Sequence, residues 1–164
     1  HSTALLAGSG SAVHGGRLDL DPFAAEFVGL LDSNFHRPGI PAIALTTDTS
    51  VITGYANDMG FEMIFARQVQ ALGKAGDVLF AISTSGKSPN VLNAVDAARA
   101  IDIRTIALTG SSSKLAEKSD VTIAVPSCST QHIQESMLAI EHILCELVES
   151  SLFGSCSNNR AESV

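Results

Sequence analysis

Four hydroxyls, a glycine and a lysine stand together in Ser83-Thr84-Ser85-Gly86-Lys87-Ser88, and Pro89 follows at once. The apolar run 78–82, Val-Leu-Phe-Ala-Ile, feeds directly into them. Proline is favoured in the first turn of a helix, so the layout predicts strand, hydroxyl-rich loop and helix N-terminus. Free backbone N–H groups, the positive end of a helix dipole and hydroxyl donors then converge on one spot. Such a spot suits an anion, and a phosphorylated small molecule is the ligand it suggests, with Ser83, Thr84, Ser85 and Ser88 as its contacts. An ordinary capped helix is the plainer reading, with Ser88 as its N-cap. The two readings are compatible.

Other residues carry chemistry with less context. Gly8-Ser9-Gly10-Ser11 follows the first apolar run. A tight glycine turn lets backbone N–H groups approach an anion, with Ser9 and Ser11 beside them, although many such turns are only turns. The stretch lacks a complete GxGxxG, and no nucleotide cofactor is expected. Glu26 lies in Phe23-Ala24-Ala25-Glu26-Phe27. Burial raises a carboxyl pKa and suits it to general-base work, against the plainer reading of a solvated helix glutamate. His142 lies in Ile140-Glu141-His142-Ile143-Leu144, where a packed, hydrogen-bonded imidazole is the ordinary reading. Gln134 and Glu135 come two turns earlier. At about 100° per residue Glu135 is nearly in line with His142 and Gln134 about 80° away, so one helix can turn an amide, a carboxylate and an imidazole towards a cleft. His132, near the helix start, is expected to be exposed. Asn57 and Asp58 end a short segment and read either as ligands for sugar hydroxyls or as a polar turn.

The elements that must position these residues follow from periodicity. Nearly continuous apolar runs at 3–7, 42–46, 78–83, 105–108 and 121–125 predict strands covered on both faces. Helical spacing appears at 23–31, 61–72 and 90–100, and in a longest segment at 131–153. Apolar groups occupy more than one face of that last segment, which predicts packing on two surfaces. The alternation implies an α/β fold: a doubly wound, five-stranded parallel sheet flanked by helices, with ligands beyond the carboxyl ends of the strands. Residues 10–21 hold three glycines and no clear period and read as a loop. Residues 154–164 read as a frayed tail.

The chain has 164 residues and 45% hydrophobic composition, enough for one domain with a real core. A net charge of −7 argues against broad nucleic-acid or anionic-membrane binding, which needs clustered Lys and Arg. An acidic protein that binds phosphate must concentrate its donors locally. Cys128, Cys145 and Cys156 show no metal-binding spacing; Cys145, in an apolar helical pattern, is expected to be a buried free thiol. No apolar run reaches the roughly 18–20 residues of a membrane span, and no signal-peptide pattern opens the chain. A cytoplasmic setting is expected. His1 is not an initiating residue, which points to a trimmed chain.

Taken in order, Pro41-Ala42-Ile43-Ala44-Leu45-Thr46-Thr47-Asp48, Ala56-Asn57-Asp58, Gly76-Asp77-Val78-Leu79, the serine loop and Ile133-Gln134-Glu135 resemble the sugar isomerase (SIS) domain family, and within it the phosphoheptose isomerases. The resemblance covers about residues 23–153, so 1–153 is expected to be a single SIS domain with an atypical segment at 1–22. It implies isomerisation of sedoheptulose 7-phosphate to D-glycero-D-manno-heptose 7-phosphate through an enediol, for the heptose of bacterial surface lipopolysaccharide. It implies Glu26 and His142 as the catalytic pair and Ser83, Thr84, Ser85 and Ser88 as the phosphate cradle. Asn57, Asp58 and Gln134 then line the sugar site. Some members of the family hold zinc through two histidines, the glutamate and the glutamine; Glu26, Gln134 and His142 match three of these. A homotetramer is implied, with sites near subunit boundaries and Glu26 and His142 open to coming from different chains.

The departures lie before residue 23. The family's Gly-Asn-Gly-Gly-Ser loop is here Gly8-Ser9-Gly10-Ser11, and its histidine position is Pro22. Proline cannot ligate a metal, so the zinc set is incomplete unless His14 substitutes, which is not expected. The family's leading helices, which help to pack the tetramer, do not precede the first strand, so weaker assembly and activity are expected. Two other functions share the fold: a partner-binding SIS protein such as the DnaA initiator-associating type, and a sugar-phosphate sensor. The joint presence of Glu26 and His142 favours the enzyme over the partner-binding protein.

Overall fold

The computed structural model describes residues 2–8, 20–32, 35–111 and 113–154. Its elements in chain order are β1 (Ala4–Gly8), α1 (Leu20–Val28), β2 (Ala42–Ala44), α2 (Thr49–Met59), a 3-10 turn (Phe61–Met63), α3 (Ile64–Leu72), β3 (Val78–Ser83), α4 (Pro89–Arg99), β4 (Arg104–Gly110), α5 (Lys114–Lys118), β5 (Val121–Val125) and α6 (Thr130–Phe153). The five strands form one sheet in the order β2-β1-β3-β4-β5, every pair parallel.

Side chains alternate along a strand, and here both faces are apolar. Leu5, Ala7, Leu79, Ala81 and Ala107 point to one face, where Ile64, Phe65 and Val69 of α3 and Val91, Ala94, Val95 and Ala98 of α4 cover them. Leu6, Phe80, Ile82 and Leu108 point to the other, against Phe23, Ala24 and Phe27 of α1 and Ile133, Met137 and Cys145 of α6. Double coverage explains why the strands read as continuous apolar runs and not as alternating ones.

The chain winds outward in both directions from β1 and β3, which are neighbours at the centre of the sheet. Such a switch point is where open α/β sheets bind ligands, beyond the carboxyl ends of the strands. Gly8, the last residue of β1, pairs with Ile82. Ser83 therefore emerges one step past the end of β1, and the serine loop opens at the switch point.

The strand and helix boundaries depart from the periodic pattern in small ways. β4 is longer than its apolar run, extending through Thr109 to Gly110. β2 stops at Ala44, because residues 45–47 turn and Thr47 Oγ1 donates to the Ala44 carbonyl at 2.9 Å. The helix expected from residue 61 begins with a 3-10 turn, and α3 proper starts at Ile64. One element went unrecognised: α2, which carries Asn57 and Asp58. It has no buried residue and so no apolar stripe to read. Its start is nonetheless marked, since Asp48 caps it by accepting from the Val51 N–H at 2.9 Å. Gly60 ends it at φ +96°, in a region that side-chain-bearing residues avoid.

Candidate active site

Two clusters of polar groups stand out, the serine loop beyond the carboxyl end of β3 and a pair that joins α1 to α6 on one face of the sheet. The first is the serine loop. Ser83 is buried at the end of β3, and its Oγ lies 3.1 Å from Ser88 Oγ and accepts from the Gly86 N–H at 3.2 Å. Ser85 Oγ accepts from the Lys87 N–H at 3.3 Å. Ser85 is exposed, and Thr84 and Ser88 are half-buried. Gly86 holds φ +58°, and a Cβ there would collide with Ser113; only glycine closes this turn without strain. Ser88 occupies the N-cap position of α4, but its side chain makes no capping bond. Its hydroxyl faces Ser83 instead, so the capping expectation is right in position and wrong in bonding.

The loop is braced by residues that sequence reasoning passed over. The Gly110 N–H donates to the Thr84 carbonyl at 3.2 Å, and the Leu115 N–H to the Gly86 carbonyl at 3.1 Å. Ser113, buried, approaches Thr109 Oγ1 at 3.2 Å and caps α5 by accepting from the Ala116 N–H. Asn90, in the first turn of α4, is 3% exposed, and among the described residues its Nδ2 has no partner. Its place directly after Pro89 was the available signal. The first turn of α6 stands alongside, with Ile133 Cδ1 where it would crowd a Cβ on Gly110; Gln134, next to it, is half-buried.

The second cluster joins α1 to α6. Phe23 and Phe27, one turn apart, anchor α1 in the core, their rings 5.0 Å apart, with Phe23 edge-on to Phe80 at 5.3 Å. On α6 the buried stripe runs Ile133, Met137, Glu141, Cys145, Glu149, one residue every fourth position. Beside these seams Glu26 Oε1 meets His142 Nε2 at 3.1 Å, the carboxylate 19% and the imidazole 49% exposed. The other oxygen, Glu26 Oε2, is buried and has no partner among the described residues. Glu26 and His142 therefore meet within one chain and do not need a second to bring them together. Burial first, and then the Glu26 carboxylate, push the Cys145 thiol well above its usual pKa, and Glu149 and Glu141 add to it. This thiol is protonated at neutral pH and buried, as its apolar setting predicts.

The remaining candidates are distributed. Gln134 is eight residues from His142, about 12 Å along the helix axis, so in one chain it stands with the serine loop and apart from the Glu26–His142 pair. Glu135 and His132 are exposed. Asn57 donates to Asp58 Oδ1 at 2.9 Å on the open face of α2, which packs mainly on the 3-10 turn and α3. Ser9, Ser11, His14, Cys156, residues 155–164 and the side chain of Pro22 lie outside the described residues. Glu26 and His142 are two zinc-type donors, where zinc sites take three or four protein ligands. Among the described residues no group of three or more His, Cys, Asp or Glu is placed to hold a metal. The described donors of one chain thus do not by themselves make a zinc site.

Comparison with known proteins gives a consistent result. The SIS domain family profile matches residues 5–110. A phosphoheptose isomerase of Burkholderia pseudomallei (strain 1710b) is 49% identical over 151 residues, 92% of this chain and 74% of the relative. The solved phosphoheptose isomerase of Neisseria gonorrhoeae superposes with a TM-score of 0.80 at 42% identity, over 91% of this chain and 77% of that one. The structure of a phosphoheptose isomerase from Francisella tularensis gives a TM-score of 0.81 at 37% identity, over 91% and 77%.

Proposed function

Because this chain belongs to the SIS-domain family, and within it to the phosphoheptose isomerases, we propose a reaction carried by its two polar clusters. It is an aldose–ketose isomerase whose substrate is a phosphorylated sugar, sedoheptulose 7-phosphate, and whose product is D-glycero-D-manno-heptose 7-phosphate. The serine loop takes the phosphate, with the α4 N-terminus behind it. The Glu26–His142 contact at 3.1 Å is the observation that carries the catalytic half of the reading.

The open-chain ketose has acidic C1 protons because the C2 carbonyl accepts the electron pair they leave behind. Removal of one proton at C1, with protonation of the C2 oxygen, gives the cis-enediol. Loss of the hydroxyl proton at O1 and return of a proton to C2 then give the aldose. An acid–base pair in contact can divide these transfers, one group working at carbon and the other at oxygen. The Glu26 carboxylate, which faces the His142 imidazole and also acts on the Cys145 thiol, is the acceptor for this work. No step is routed through a metal, since the described donors of one chain number only two.

Three further features belong to this proposal. A homotetramer is supported by Leu138, Ile143, Leu147 and Leu152, all exposed on α6, and Gln134 and Asn57 would then serve sites completed by neighbouring copies. A cytoplasmic setting is supported by the free thiols of Cys128 and Cys145, and among the described residues no helix is long and apolar enough to cross a membrane. The product is expected to enter the heptose of lipopolysaccharide. The partner-binding alternative is not favoured, since the relatives reported above are named as isomerases.

Incubation with sedoheptulose 7-phosphate and analysis of the heptose formed tests the reading. Wild-type turnover is expected, with kcat lowered about 10²- to 10⁴-fold by Glu26→Gln or His142→Ala. Tight sugar-phosphate binding without turnover would instead make the protein a sensor.

A further inference from the structure

A single buried arginine ties together the two elements that carry the acid–base pair. Arg37 comes from the connection between α1 and β2, and its side chain is 1% exposed. Its Nε donates to Glu149 Oε1 at 2.7 Å. Its Nη2 donates to the carbonyl of Glu26 at 2.7 Å, and its Nη1 to the carbonyls of Phe27 at 2.8 Å and Pro38 at 3.1 Å. The Leu31 N–H also reaches Glu149 Oε1, at 3.4 Å. All three guanidinium nitrogens are in use.

The partners matter more than their number. The last carbonyls of a helix have no partner inside it, and α1 has only nine residues with which to hold its own register. Two of its terminal carbonyls, those of Glu26 and Phe27, are taken by Arg37. The same guanidinium is held by Glu149, which lies seven residues beyond His142 on α6. That is two turns along almost the same line of the helix. Arg37 thus grips the backbone of the residue that supplies the carboxylate and a side chain on the helix that supplies the imidazole. A planar fork can do this; a lysine, with one compact ammonium, can satisfy Glu149 but not both carbonyls in the same geometry.

We propose that Arg37, held by Glu149, is a positioning residue for the isomerase: it sets the register of α1 on α6 and thereby the Glu26–His142 contact, without touching the sugar. This rests on the functional reading above for its consequence in turnover, and on geometry alone for the contact itself. A small shift of α1 is enough, because misplacement of a reacting group by about 1 Å can cost about 100-fold in rate.

Two variants test it, each measured per folded molecule. Arg37→Lys keeps a charge for Glu149 and loses the fork. The double variant Arg37→Met with Glu149→Met removes both buried charges and keeps apolar volume, a change that buried ion pairs often tolerate. Both are expected to lower kcat about 10- to 100-fold while KM stays within about twofold. The imidazole signals of His142 in a heteronuclear NMR spectrum, assigned by their loss in His142→Gln, give a readout independent of activity. In folded Arg37→Lys they are expected to move towards their positions in Glu26→Gln. Wild-type kcat in either folded variant, a loss confined to KM, or unmoved His142 signals would overturn the proposal. Absence of turnover in the wild type, with His142 signals still responding to Arg37→Lys, would instead overturn the functional reading and leave the clamp standing.

Discussion

The serine loop and the Glu26–His142 pair are made in opposite ways. The loop is contiguous: Ser83 to Ser88 are bonded to one another, and the turn closes over Gly86 because that residue holds φ +58°. The pair joins residues 116 positions apart, and its geometry is inherited from how α1 and α6 lie on one face of the sheet. Damage to the packing of α1 should therefore separate the two functions, since phosphate recognition depends on a turn braced by Gly110 and Leu115 and proton transfer on the register of α1 and α6.

The sharpest way to break that comparison is Phe23→Ala. Phe23 is 1% exposed and lies against Phe27 and Phe80. Its truncation is expected to cost about 3–5 kcal/mol in urea denaturation, and to lower kcat in the fraction that stays folded. Inhibition by inorganic phosphate should survive in that fraction. Loss of phosphate inhibition along with kcat would mean that the loop is not independent of the α1 packing.

Gly86→Ala attacks the other region. The added methyl meets Ser113 at a backbone conformation unfavourable to alanine, a strain of about 1–3 kcal/mol. KM for the sugar phosphate is expected to rise about tenfold or more, with kcat changed less. Steady-state kinetics across substrate concentration separates the two; a fall in kcat with KM unchanged would contradict the assignment of the loop to phosphate.

The smallest effect comes from a site remote from both. Asp120 accepts from the Thr105 N–H at 2.7 Å and from its hydroxyl at 2.9 Å, and these bonds, the backbone one first, hold its pKa below the ordinary carboxylate value. A depressed carboxyl pKa contributes stability that is present above the unfolded value, about 3.9, and is lost as pH falls through the folded value. Asp120→Asn should therefore lower stability at pH 7, and its deficit relative to wild type should shrink below about pH 4. Denaturation at both pH values checks this, while kcat of the folded variant stays at the wild-type level.

Much of this was legible in the residues themselves. Five apolar runs gave five parallel strands, since side chains that must be covered on both faces leave a continuous hydrophobic record. α2 leaves no such record, because none of its residues is buried, so the sequence shows Asn57 and Asp58 only as the end of a short segment and hides the 11-residue helix that carries them. Arg37 does not stand out in the sequence either. An arginine in a connection reads as surface, and its burial follows only once Glu149 and the end of α1 are brought to it.

What the sequence alone determined is the local chemistry: a strand running into hydroxyls, a glycine at the turn and a proline at the helix start, because near-neighbour sterics and hydrogen bonds need no distant partner. Which acid meets which imidazole was decided only by the tertiary structure. Gln134 and His142 share a helix and stand about 12 Å apart along it, whereas Glu26 and His142, from opposite ends of the chain, come within 3.1 Å. The reason is that the apolar stripes of α1 and α6 are buried on the same face of one sheet, and that shared burial, not proximity in the chain, sets the contact.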